Sequence, residues 1–170
     1  MLDFKILSKK GRVYKINFED REIASLAYEK WSNRDAEITM NDGLVYQVSA
    51  DKLLSNIIEI KQKDTLIAKA VPNFKGDVVL TLFRSGEAEE FLFSRVPNQQ
   101  NDYVVRDQDG NNLIFIHQEF QWKTLSFFGS ISLEHEQVDL VILPITLYCA
   151  NIFRSSYMGN TAAMVNVNHG

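Results

Sequence analysis

From Leu140 to Phe153 the chain carries no charged side chain, and apolar residues cover every side of a helical projection. A helix that is hydrophobic all round has to lie inside a protein or inside a bilayer. A span needs about twenty apolar residues, whereas a run of about fourteen is the length of a buried core helix. Thr146, Pro144 and Asn151 also fit a minimal lipid span poorly. The stretch therefore predicts a core helix over about 138–158, stopped by Met158-Gly159-Asn160 through a glycine cap. Pro144 predicts a kink or a missing backbone bond in its first half.

The chain ahead of this rod follows a different period. Between residues 2 and about 135 apolar side chains alternate with polar ones, the mark of half-buried strands. Tyr14, Ile16 and Phe18 share one face, as do Leu44, Tyr46 and Val48, then Val78, Leu80 and Leu82, then Leu113 and Phe115. About twelve such runs can be drawn, near 2–8, 12–18, 23–31, 35–41, 44–50, 55–62, 65–71, 77–84, 90–96, 102–107, 112–119 and 122–134. Arg21 to Trp31 would pass as a helix on propensity, but its brevity and its neighbours make it a strand. Asn41-Asp42-Gly43 and Asp109-Gly110-Asn111 predict tight primed hairpin turns, with Ser85-Gly86 and Lys75-Gly76-Asp77 as looser versions.

These two halves need each other. About twelve antiparallel strands must close or split, because long open edges invite aggregation. Eight strands are filled by side chains and sixteen leave a channel, so twelve need a filler, and a helix about 10 Å across is suitable. The expected fold is mostly β: a closed antiparallel barrel around a central C-terminal helix, one domain over 1–170. The helix is longer than the wall, so its polar Arg154-Ser-Ser-Tyr end should lie at a mouth.

The segment Tyr103-Val104-Val105-Arg106-Asp107-Gln108-Asp109-Gly110-Asn111-Asn112-Leu113-Ile114-Phe115-Ile116 resembles the strand, Asp-x-x-Gly turn, strand step of the tubby C-terminal-like superfamily. That superfamily includes LURP-one-related proteins and phospholipid scramblases, and the apolar helix from Val138 to Phe153 is a second point of similarity. The resemblance implies a twelve-stranded barrel threaded by a hydrophobic helix, in a group with lipid-associated members. The phosphoinositide-binding Lys/Arg pair, calcium loop and palmitoylated cysteine cluster of some members have no counterpart here, so no site residues carry over.

The residues that could carry chemistry are few. Cys149 sits in the apolar rod and reads as inert core. Glu134-His135-Glu136 has metal-ligating side chains but reads as a solvated turn before the helix, and His117 with Glu119 shares one face of a strand. The glycines are isolated turn glycines, not a phosphate loop, and Glu87-Ala-Glu-Glu90 reads as a solvated hairpin tip. No cofactor or metal is expected.

Lys9, Lys10, Arg12 and Lys15 gather in the first hairpin and are the candidate contacts for anionic headgroups. Against that stands an ordinary charged edge that discourages strand pairing. Trp31 and Trp122 are candidates for an exposed partner-binding patch. A net charge of −4 argues against nucleic acid. A single cysteine and an N-terminus without a signal-peptide core predict a cytoplasmic protein. The expected function is a non-enzymatic binding or scaffold domain acting through its outer surface, on a phospholipid surface or a protein. A carrier barrel for a small hydrophobic ligand is the alternative, and it requires an empty lumen. An enzyme would require His117 or His135 to meet a carboxylate in a concave site.

Overall fold

The computed structural model describes residues 1–9, 11–29, 34–50, 57–73, 75–99, 101–135 and 138–165, without the side chains of Lys9 and of residues 155–165. The alternation becomes twelve strands: β1 (Leu2–Lys9), β2 (Val13–Phe18), β3 (Arg21–Tyr28), β4 (Ala36–Met40), β5 (Val45–Ala50), β6 (Ile58–Gln62), β7 (Thr65–Pro72), β8 (Val78–Arg84), β9 (Glu87–Arg95), β10 (Asp102–Arg106), β11 (Asn112–Gln121) and β12 (Ser126–Leu133). Each pairs antiparallel with its sequence neighbour, and β1 closes the ring on β12, with Leu2 opposite Leu133 and Lys9 opposite Ser126. The result is a closed twelve-stranded barrel.

Period-two alternation decides which side faces in. Ile6, Ile16, Leu26, Ile38, Ile60, Leu80 and Ile114 are buried in one cluster, while Lys5, Lys15, Glu37, Gln47 and Glu119 are exposed. An apolar interior under a charged wall is the inverse of a transmembrane barrel, whose outer band is apolar. Among the described residues no helix is long and apolar enough to cross a membrane.

The turn chemistry differs from the expectation in an instructive way. Ser85 and Gly86 both have positive φ, 47° and 87°, and form the two-residue link from β8 to β9. This is the primed geometry. Asn41-Asp42-Gly43 and Asp109-Gly110-Asn111 lie in wider connections, where the glycine alone takes positive φ. Asp107 is the reason at the second site: its carboxylate accepts hydrogen bonds from the Asn111 backbone at 2.8 Å and from Asn111 Nδ2 at 2.9 Å, widening the loop by side-chain bonding.

The helix α1 (Ile142–Val165) runs near the barrel axis. Every residue from Val141 to Ala150 is buried, on all sides of the helix, so the wall surrounds it. It starts later than the apolar run because Asp139 is the cap. Asp139 Oδ1 accepts the Val141 N–H at 2.9 Å, and its other carboxylate oxygen pairs with Arg84 at the end of β8. The first turn is tight, with Ile142 N–H donating to Asp139 O and Leu143 N–H to Leu140 O. Pro144 thus falls just after the start, and the Leu140 carbonyl that it would leave unpaired is taken by Leu143. Gly159 does not stop the helix, which keeps helical backbone through Val165. A glycine inside a helix costs about 1 kcal/mol against alanine but ends it only where the backbone turns left-handed.

One close approach was not foreseen. A Cβ at Gly129 of β12 would lie 2.1 Å from the His117 carbonyl oxygen of β11, so only glycine lets these strands meet. Gly129→Ala is expected to lower unfolding free energy by about 1–3 kcal/mol. Leu147→Ala, which empties a fully buried site on α1, should cost about 2–5 kcal/mol. Leu7→Ala, on the outer wall, should change stability by less than about 0.5 kcal/mol. Urea denaturation of the three variants checks the ranking.

Candidate functional site

An up-and-down meander places alternate connections at alternate ends. The β1–β2, β3–β4 and β11–β12 connections share one end, and α1 enters at the other, where Asp139 meets Arg84, and leaves here. The exit is marked by a polar knot in an otherwise apolar interior. Gln118, buried on β11, donates from Nε2 to Asn151 Oδ1 at 3.1 Å, and Asn151 Nδ2 donates to the Tyr28 hydroxyl at 3.1 Å. Arg154 donates to Gln118 Oε1 at 3.2 Å, to the Tyr14 hydroxyl at 3.1 Å and to Asn151 Oδ1 at 3.2 Å. Its guanidinium also lies 3.8 Å from the centre of the Phe127 ring.

The charge in this knot stays positive. Burial pushes the Tyr14 and Tyr28 hydroxyls above their ordinary range, so both are neutral partners. Among the described residues no carboxylate pairs with Arg154. Beneath the ring, a Cβ at Gly11 would come within 2.9 Å of Phe127, and Gly11 has φ +63°. The β1–β2 and β11–β12 tips are therefore in contact at the exit.

The sequence-predicted headgroup contacts come from β1, β2 and the segment that joins them. Arg12 is exposed and donates from Nη2 to the Glu29 carbonyl at 2.8 Å. Lys9 lies in β1 opposite Val13 and Ser126, and Lys10 lies outside the described residues, as does Trp31. Lys15 faces outward but forms a 2.7 Å ion pair with Glu22 of β3, so its charge is already matched. The structure adds apolar neighbours: Leu7, Val13, Phe128 and Leu125 are exposed on the same two hairpins, with Trp122 the most open at 72%. A signal for two of them was present. Ile6-Leu7 and Phe127-Phe128 are apolar doublets, and in an alternating strand one member of such a doublet must face out.

His117 has found two carboxylates on the outer wall. Its Nδ1 lies 2.5 Å from Asp102 Oδ1 on β10, its Nε2 lies 3.1 Å from Glu119 Oε1, and it borders a shallow groove of about 350 Å³. With a carboxylate oxygen within reach of each nitrogen, these partners favour the protonated ring. The Asp102 hydrogen bond first, then that of Glu119, raises its pKa above the ordinary value. Ser130 is its register partner on β12 and lines the same groove. The carboxylates also sit on opposite edges of the ring and cannot converge on one ion. Among the described residues no group of metal-binding side chains forms. Asp102 could have been found by reflecting the chain about the Asp109-Gly110 turn, which sets it opposite His117.

Burial pushes the Cys149 thiol up to about 12, far from thiolate chemistry at neutral pH. Glu134 and His135 are exposed after β12, and Glu136 lies outside the described residues.

The His117 clamp has a definite pH signature. A folded-state pKa above the unfolded value near 6.5 gives stabilisation that is complete at lower pH and is lost as pH rises through the folded value. Imidazole titration by NMR should place the His117 midpoint above 6.5. Asp102→Asn should lower that midpoint more than Glu119→Gln does. Comparison of the chain with protein-family models, with curated proteins and with solved structures finds no match.

Proposed function

We propose that the protein is a non-enzymatic binding domain that docks with its helix-exit rim on an anionic phospholipid surface, at the cytoplasmic face of a membrane. The supporting observation is the rim itself: Arg154, whose positive charge no described carboxylate offsets, lies beside the hairpins that carry Lys9, Lys10, Arg12 and Lys123. The opposite end carries Glu19, Asp20, Asp42, Asp64, Asp107, Asp109, Glu134 and Asp139 at its tips and connections, against Arg21, Lys63, Arg84 and Arg106. At the exit end Lys9, Arg12, Arg34, Lys75, Lys123 and Arg154 stand against Glu29, Asp35 and Asp77, so a chain of net charge −4 carries its basic excess there. Each basic residue near an anionic leaflet contributes about 1 kcal/mol, enough in combination for reversible attachment.

The proposal includes membership of the tubby C-terminal-like superfamily, supported by twelve strands closed around a C-terminal helix. A carrier reading finds no support, since Leu143, Leu147 and Tyr148 of α1 fill the space a ligand would need. A catalytic reading has one observation in its favour, His117 beside Asp102 at a groove on the outer wall.

Vesicle sedimentation tests this reading. The protein should pellet with phosphatidylserine-containing vesicles and stay in solution with phosphatidylcholine alone. Binding should fall as salt rises, and a Lys9→Glu, Lys10→Glu, Arg12→Glu variant should lose it while keeping its circular dichroism. Equal binding to both vesicle types, or none to either, would refute it.

A further inference from the structure

We infer that the β11–β12 hairpin is a membrane wedge, with Trp122 and Leu125 entering the interfacial layer of an anionic bilayer and Leu7, Val13 and Phe128 forming the collar that meets its surface. This rests on the docking reading above and adds what penetrates and how deeply.

The first argument is backbone geometry. Leu125 has φ +51°, a left-handed conformation that bulky residues rarely adopt, and its side chain is 55% exposed. Glu19, Lys63, Ser85 and Asn98 take the same conformation in other turns, and at Leu125 it sets the exposed side chain at the hairpin tip. The second is mounting. Trp122 packs edge-on against Phe120 at 4.7 Å, Phe120 against Phe127 at 4.6 Å, and Phe127 lies under Arg154 of α1. An aromatic stack therefore runs from the tip to the central helix, so the wedge is held ready and little ordering is left for binding.

The third is chemistry. Trp at the level of headgroups, Leu below it and Lys123 between them, with its long stem free to reach outward, is the composition of an interfacial anchor. Leu7 and Phe128 are register partners on the adjoining wall. Glu119, the register partner of Phe128 on β11, is already engaged by His117. Exposed apolar side chains at the other end, Leu44, Val45 and Leu140, sit among Asp42, Glu134 and Asp139 and would be repelled by an anionic surface. The unmatched positive charge beside these side chains suits an anionic bilayer.

Trp122 makes its own probe. In the full-length Trp31→Phe protein, its emission should shift to the blue on adding phosphatidylserine-containing vesicles, and lipids brominated high on the acyl chain should quench it more than lipids brominated deep. If Trp31→Phe does not fold, the difference between wild-type and Trp122→Phe spectra gives the same reading. A Trp122→Ser, Leu125→Asn variant with unchanged circular dichroism should bind at least about tenfold more weakly. Vesicle pelleting with unmoved, unquenched emission would overturn the wedge and leave the docking reading standing. Absence of pelleting would remove both. A blue shift that grows with protein concentration in the absence of vesicles would assign the patch to a second copy of the chain and overturn the wedge.

Discussion

An apolar helix and a barrel too wide to fill itself solve each other's problem. Leu143, Leu147 and Tyr148 lose water from every side at once, which a helix on an open sheet could not achieve. The twelve-stranded wall in turn gains a solid centre in place of a void that its own side chains could not close. Closure matters equally on the outside, because β1 pairing with β12 leaves no strand edge to template association. Once the lumen is full and the edges are gone, contacts with other molecules have to be made by the outer wall and the two ends.

The ends are unlike because the helix is directional. Asp139 caps its start and is tied to Arg84, so the entry is an acidic, tightly turned floor. At the exit the apolar filling gives way to Gln118, Asn151, Tyr28 and Arg154, each satisfied by another. Buried polar groups of this kind are costly unless all of them are paired, and pairing here requires β2, β3, β11 and α1 in one arrangement. The same knot positions Phe127, and through it Phe120 and Trp122.

Much of this could be read from the residues, and the exceptions have physical causes. Alternation located β1 through β12 to within a few residues because the wall is half-buried along its length, where a period of two leaves its clearest trace. The helix expected over about 138–158 is legible because burial on all sides removes every charge, while its observed range, Ile142–Val165, runs past Gly159, which remains helical. Turn types were harder. Ser85-Gly86 looks looser than Asn41-Asp42-Gly43, and only the number of residues between paired strands reverses that order. Leu7 and Phe128 were overlooked because an apolar doublet does not say which member faces out. The contacts of Asp102 with His117, and of Gly129 with the β11 backbone, depend on register across strands, a quantity fixed by closure and not by local pattern.

Cys149 is the chain's one cysteine and lies fully buried toward the exit end of the part of α1 that the wall surrounds. Its reaction with a soluble disulfide reagent therefore reports directly on whether the helix occupies the lumen. The account predicts that the native protein stays unlabelled, that labelling proceeds no faster than global unfolding, and that it becomes stoichiometric in denaturant. Complete labelling of the folded protein within seconds would place the helix outside the barrel.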